Sequence, residues 1–421
     1  MTKRIAGVAT FVMVFMALPV GTAAQTTVVR ADRMLDVVSG QVVSGAVVVI
    51  EGDRIVSVGG NVPDGADVID LGDVTLVPGL TDLHTHLTGD IEGDWTNQAT
   101  RETDADAALR GARNAKRTLY AGFTTVRDMS GFAGIALMRA IDKDFVEGPR
   151  IFPGANSLGI TGGHCDVTGF APGILETDFA DGVGDGPSGV LRAARYQIKH
   201  GARFIKICAT AGVLSFEGPV GAQQFTFEEM RTIVEEAARH GTHVAAHAHG
   251  TEGINTAVRA GVRSIEHGSM LTDESISLMK EHGTYLVPTT YLAGAIDLDA
   301  LPASIRAKAE TVLPLAIASV EKAIREGVNI AFGTDAAVFP HGDNAREFAA
   351  LVERGMDPLA ALRSATLTPA ELLGFDDRGQ IAPGFLADII AVPGNPLENI
   401  RVMEDVQFVM KGGVVYKRPH P

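Results

Sequence analysis

Between residues 74 and 375, short apolar runs alternate with Ala-rich amphipathic segments, and the alternation repeats eight times. The apolar runs are Leu76–Leu87, Thr124–Met129, Arg150–Ser157, Arg203–Ala209, His243–His249, Ser264–His267, Tyr285–Thr290 and Ile330–Asp335. Helical spacing shows in Thr226–His240, Gly253–Ala260 and Ile317–Glu326. A strand buried on both faces reads as a continuous apolar run, and a parallel neighbour is reached only through a crossover. Eight such units in about 300 residues predict an α/β chain folded as a TIM (β/α)8 barrel. A doubly wound open sheet would need a Gly-rich nucleotide turn after an early strand, and none is present.

The flanks carry another pattern. Val28–Arg30, Val42–Ile50 and Arg54–Val58 at one end are β-branched runs with Gly and Asp at the turns. Ala387–Val392, Val406–Met410 and Val414–Tyr416 resemble them at the other, with Lys411-Gly412-Gly413 as a hairpin signal. Residues 25–73 and 376–421 are therefore expected to form one small β-sandwich domain from both chain ends. Residues 1–24 read as a secretory signal: Lys3 and Arg4, an apolar run from Ile5 to Val20, then Thr22-Ala23-Ala24 as the cleavage site. That run is shorter than the roughly 20 residues of a span, so a secreted or periplasmic protein without membrane attachment is expected. The formal charge is −15 and becomes more negative once Lys3 and Arg4 are removed, which disfavours nucleic acid as a partner. Two cysteines are no disulfide framework, and Cys165 and Cys208 are expected as free thiols.

The chemistry gathers at strand ends. His84 and His86 lie on one face of Leu80–His86, together with Asp82. Alone, a His-x-His pair is better read as two surface histidines. His247 follows Val244-Ala245-Ala246, His267 ends Ser264-Ile265-Glu266, and Asp335 ends Ile330–Thr334. Each stands where a barrel strand delivers its side chain to the catalytic face. Neutral imidazoles with a carboxylate are the ligand types zinc takes, so zinc is the default ion. Lys206 lies in the apolar strand Phe204–Cys208. It is either a core lysine paired with an acid, or an amine whose pKa burial lowers so that it takes up CO2. The resulting carbamate is an anion with two oxygens, able to bridge two cations.

His84-Thr85-His86, Lys206, His247, His267 and Asp335, in that order, resemble the amidohydrolase superfamily of binuclear metal hydrolases. Val77-Pro78-Gly79-Leu80-Thr81-Asp82 is similar to the family's lead-in, and Gly379–Asp388 to its return into the small domain. The resemblance implies that His84, His86 and Asp335 bind the more buried of two divalent ions. It implies His247 and His267 on the other, with N6-carboxylated Lys206 bridging both. Ala246-His247-Ala248-His249 offers two histidines; His247 is assigned as the ligand and His249, higher on the strand, to substrate. Thr161-Gly162-Gly163-His164, His247-Ala248-His249-Gly250 and Glu266-His267-Gly268 are similar to the branch of Xaa-Pro dipeptidases and ochratoxin-type amidohydrolases. Imidazolone-hydrolysing relatives, which use one metal and need no lysine at 206, are similar too.

This branch implies cleavage of a small-molecule amide whose amine-side residue keeps a free carboxylate: a dipeptide, or an N-acyl amino acid such as ochratoxin A. A metal-bridged hydroxide would attack, with Asp335 as the catalytic proton carrier. His164, His249 and Tyr291 are candidates for holding the carboxylate or oxyanion, and each is equally readable as a hydrogen-bonded loop residue. The branch also implies a homo-oligomer, up to an octamer. Two other functions compete: an ester, lactone or phosphotriester hydrolase on the same metals, and a periplasmic binding protein without turnover. The mature chain is expected to begin at Gln25. Edman sequencing of protein exported from its own host checks this, and a chain still starting at Met1 would contradict it.

Overall fold

This computed structural model describes residues 26–90 and 98–418; the expected signal peptide lies outside them. Its strands are β1 (Thr26–Asp36), β2 (Gln41–Glu51), β3 (Arg54–Val58), β4 (Asp67–Asp70), β5 (Val74–Pro78), β6 (Leu80–Thr85), β7 (Phe123–Asp128), β8 (Arg150–Pro153), β9 (Ile205–Cys208), β10 (Val244–Ala248), β11 (Ser264–His267), β12 (Tyr285–Val287), β13 (Ile389–Pro393), β14 (Phe408–Lys411) and β15 (Val414–Lys417).

Both chain ends meet in one 8-stranded sheet of order β15-β14-β13-β5-β1-β2-β3, with β4 beside β1. The long β1 pairs antiparallel with β2, while its other edge is shared between β4 and β5. Val29, Val48, Ile50, Leu76, Ile389 and Phe408 form the separate core of this sheet. At the β14–β15 hairpin Gly412 and Gly413 both have positive φ (55° and 76°), as a two-residue type I′ turn requires.

The middle of the chain is parallel. β6, β7 and β8 form one sheet and β9 to β12 another, each strand beside its successor. Hydrogen bonds join the two sheets on both sides. On one side Arg203 N donates to Pro153 O (2.8 Å), Leu158 N to Lys206 O (2.8 Å) and Cys208 N to Leu158 O (2.9 Å). On the other, residues 329–335 lie between β12 and β6: Ala331 N donates to Leu286 O (2.9 Å), Leu83 N to Phe332 O (2.9 Å) and Asp335 N to His84 O (2.7 Å). Helices cover the outer faces, and the largest core cluster lies between strands and helices. The helix Phe227–Arg239 starts with a Thr226/Glu229 capping box. The helix Ala303–Arg325 runs through Pro314 and starts well before the expected Ile317, because tertiary packing overrides a residue that usually breaks helices.

The expected strand Leu76–Leu87 divides at Gly79. Val74–Pro78 pairs with β1 and β13 in the small sheet, and Leu80–Thr85 enters the parallel set. The backbone passes here against Thr124 and Asp388, and a Cβ on Gly79 would overlap both side chains. Gly79→Ala is expected to cost about 1–3 kcal/mol through overpacking. The measurement is the chemical-denaturation midpoint, and an unchanged midpoint would show that the neighbours give way freely.

Candidate active site

β6, β9, β10, β11 and residue 335 deliver their side chains to one end of the parallel strands. His84, His86 and Asp335 converge with one potential ligand atom each within 4.8 Å of the others. Asp335 Oδ1 lies 3.4 Å from His84 Nε2 and 3.1 Å from His86 Nε2. A second convergence with the same spacing joins His247, His249 and His267. Burial pushes the His84 imidazole down to about 4 and His249 to about 3, and holds His247 and His267 well below the ordinary range. The neutral imidazole is the form that can ligate a cation. Asp335 is also buried, which alone would raise its pKa; the facing His84, His86 and His267 hold it well below the usual carboxylate range.

Hydrogen bonds aim these rings. His84 Nδ1 donates to Glu266 Oε2 (2.8 Å), His267 Nδ1 faces Thr289 Oγ1 (2.8 Å) and His249 Nδ1 faces Ser269 Oγ (2.7 Å), which leaves each Nε2 for the cavity. His247 Nε2 is buried and has no hydrogen-bond partner among the described residues. An orphaned imidazole nitrogen beside two others is what a metal ligand looks like without its ion. Both groups therefore fit a divalent cation.

Lys206 lines the same cavity from β9, in register with Ala245, while His247 pairs with Cys208 two positions further along. Its Nζ contacts Met129 Sδ (2.9 Å), and among the described residues no carboxylate lies within ion-pair distance of it. Burial lowers its pKa to about 8, partly opposed by the more distant Glu266 and Asp335. The alternative of an acid-paired core lysine is thus not what the structure contains.

The charges beneath the site had no sequence signal. Arg127 and Glu266 are both 0% exposed. Arg127 donates to Glu266 Oε1 (2.6 Å), Ser264 Oγ (3.0 Å) and Leu83 O (2.6 Å). Burial opposes ionisation of Glu266, but Arg127 and His84 outweigh it and hold the carboxyl far below its ordinary value. Asp82 accepts from His84 N, Thr334 N, Thr334 Oγ1 and Asn344 Nδ2, which ties the last strand segment to β6.

Above the ligands opens a cavity of about 440 Å³ lined by His164, His249, Lys206 and Asp335 among others. His164 sits 4.3 Å from the His247 ring, centroid to centroid. Its Nδ1 faces Ser215 Oγ (2.8 Å) and Glu217 Oε1 (3.2 Å). Ser215 itself donates to Glu217, so the proton on the His164 bond belongs to Nδ1. Two expectations need correction. Cys165 and Cys208 are not free thiols but a disulfide (Cα–Cα 5.8 Å), because the loop after β8 folds back over the end of β9. Tyr291 does not line the cavity; a short helix starts there, and the ring packs edge-on against Phe339 with its hydroxyl 3.4 Å from Arg346.

Known proteins share this architecture. Residues 75–416 match the model of the amidohydrolase family. The chain is 36% identical over 369 residues to ochratoxinase of Aspergillus niger, across 82% of this chain and 76% of that one. A Xaa-Pro dipeptidase structure with methionine bound in its active site superposes with a TM-score of 0.89 at 40% identity, covering 93% of this chain and 100% of that one. A prolidase complexed with N-methylphosphonate-L-proline gives 0.86 at 36% identity, over 94% of this chain and 100% of that one.

Glu266→Gln is expected to weaken divalent-cation affinity by about 10–100-fold, because His84 loses the carboxylate that aims it. Metal titration into the metal-stripped protein reads this directly. Unaltered affinity would show that strand geometry alone orients His84.

Proposed function

This chain belongs to the amidohydrolase family and is a hydrolase of C–N bonds, and from that premise we propose that it cleaves the amide of a dipeptide or N-acyl amino acid whose amine-side residue keeps a free carboxylate. The observation that carries the reading is the pair of three-residue groups able to hold a metal that face one cavity, with Lys206 lining the same cavity and no carboxylate at ion-pair distance from it among the described residues. Its relatives support the substrate class: one is named for Xaa-Pro dipeptides and holds methionine, another binds a phosphonate derivative of proline. The amide of ochratoxin A is of the same type, and a relative is named for that compound. We read the parallel strands as the (β/α)8 barrel, residues 329–335 serving as its eighth strand.

His84, His86 and Asp335 would hold one divalent ion, and His247 and His267 the other. His247 stands two register positions beyond Lys206, and His249 two residues further out toward substrate. Zinc suits this donor set. Lys206 Nζ is buried, with no carboxylate within ion-pair distance among the described residues; it would add CO2 with loss of a proton, and the carbamate would supply the anionic charge that two divalent cations need. Two divalent cations held there would supply Lewis acidity, lowering the pKa of water and polarising the scissile carbonyl. Asp335 receives the proton from the attacking water and delivers it to the leaving amine nitrogen. His164 would meet the substrate carboxylate as an imidazolium, donating from Nε2 while Nδ1 donates to Ser215 beside the Glu217 carboxylate. The Cys165–Cys208 bridge supports maturation in an oxidising compartment, as the export signal suggests.

His247→Ala is expected to lose metal and activity, whereas His249→Ala keeps metal and weakens substrate binding. Metal analysis of the purified variants decides, and the opposite result reverses the two assignments. A good substrate should also lose about 10-fold or more in kcat/KM when its carboxylate is blocked as the methyl ester, since the donors that face it are left unpaired. Equal values for acid and ester would move the reading to an ester or lactone hydrolase.

A further inference from the structure

The cavity is polar on one side and apolar on the other, and one loop builds both. Residues 210–223 follow β9 and close on themselves through a Thr210–Gln223 bridge and the bond from Ala211 N to Ala222 O (2.8 Å). Lys308, on the helix Ala303–Arg325, donates to the carbonyls of Ser215 and Glu217 and so pins the loop to that helix. From this loop Ser215 and Glu217 hold His164 from behind, and Gly212 lies so close to the imidazole that a Cβ there would overlap it. The Glu217 side chain is 7% exposed; burial alone would raise its pKa, but His164, Ser215 and Gly212 N outweigh it and hold it down to about 2.

The same loop turns Val213 and Leu214 toward the cavity. There they meet Leu292 and Ile296 from the segment after β12, and Val312 and Leu313 from the helix. Val213 and Val312 are buried, and Leu298 and Leu301 back them from outside. Lys206, at the metal floor, is the one Lys or Arg among the described residues lining this cavity. A substrate carboxylate above the floor thus meets imidazole rather than guanidinium, with an apolar wall beside it.

In an amino acid the carboxylate and the side chain leave the same Cα. Groups that read both must therefore be neighbours. Val213 and Leu214 precede Ser215 and Glu217 by only a few residues. We propose that loop 210–223 reads the amine-side residue of the substrate twice: through His164, which it holds, it takes the carboxylate, and through Val213 and Leu214, together with Val312 and Leu313 of the facing helix, it takes a large apolar side chain. The preferred substrates are then amides of phenylalanine, leucine or methionine with a free carboxylate, and Glu217 is a positioning residue acting through His164. This rests on the amide-hydrolase reading above.

The experiment is a kinetic series on the zinc-loaded enzyme, using dipeptides with alanine first and glycine, leucine, phenylalanine, lysine or glutamate second. The phenylalanine and leucine compounds are expected to exceed the glycine compound by about 10–100-fold in kcat/KM, the range for burying one large apolar side chain. Leu214→Asp and Leu313→Asp should each collapse the phenylalanine-to-glycine ratio by about 10-fold or more. Should either fail to fold by circular dichroism, Leu214→Ala and Leu313→Ala should lower the same ratio by a smaller factor. Glu217→Gln should narrow the preference for free acid over methyl ester, mainly through KM. Equal wild-type rates for glycine and phenylalanine, an unmoved ratio in the leucine variants, or an unmoved acid preference in Glu217→Gln would each overturn the proposal. The amide-hydrolase reading fails separately, if none of the five dipeptides is cleaved.

Discussion

The buried pair Arg127–Glu266 is the interaction on which the site rests. Two fully buried charges each cost several kcal/mol unless every donor and acceptor is met. Here Arg127 on β7 reaches a β6 carbonyl as well as Ser264 and Glu266 on β11, and Glu266 turns its other oxygen to His84 on β6. Three strands are thereby fixed to one another by a network that tolerates little displacement, because removing one member leaves a charge uncompensated at a cost of about 3–5 kcal/mol. The His84 imidazole takes its orientation from that network. A well-packed apolar core would hold the strands as firmly but would leave the ring free to turn.

A second constraint is geometric. Strand alternation sends successive side chains to opposite faces. The site needs successive residues on the same face: Glu266 below and His267 above, Thr334 on Asp82 and Asp335 on the histidines. His267 and Asp335 meet this with positive φ (69° and 60°), and Thr289, which faces His267 Nδ1, has φ 48°. Left-handed backbone at non-glycine residues costs about 1–3 kcal/mol each. It persists because neighbours hold it: Asp82 binds Thr334, and buried Glu347 accepts from Thr290 N and Tyr291 N. Burial pushes the Glu347 carboxyl up to about 8.

Over this rigid floor lies a layer of loops. The His164 loop is tied to β9 by Cys165–Cys208, and the 210–223 loop is pinned by Lys308. The floor supplies chemistry that any C–N bond can meet, whereas shape and polarity above it decide which substrate arrives. Because the disulfide joins Cys208, two residues after Lys206, to the neighbour of His164, floor and loop layer are covalently connected at the site itself.

Much of this was legible in the sequence. Apolar strand runs punctuated by helices mark out the parallel set, and β-branched flanks mark the small sheet. His84, His86, Lys206, His247, His267 and Asp335 stand at strand ends, where period-two geometry and strand position suffice to single them out. The expected strand Leu76–Leu87 misled, since continuous strand-like residues hide a crossing between sheets that depends on what Gly79 packs against. Arg127, Glu266 and Glu217 carry no local signal, because a partner 139 or 53 residues away leaves no trace in the neighbouring sequence. The sequence by itself determined the alternation of strands and helices and the order of the histidines, lysine and aspartate at strand ends, which follow from local periodicity and side-chain chemistry. Only the tertiary structure decided which imidazole nitrogen faces the cavity, that the two cysteines pair, that Tyr291 turns away and that one wall is apolar, because each depends on distances between segments the chain brings together only on folding.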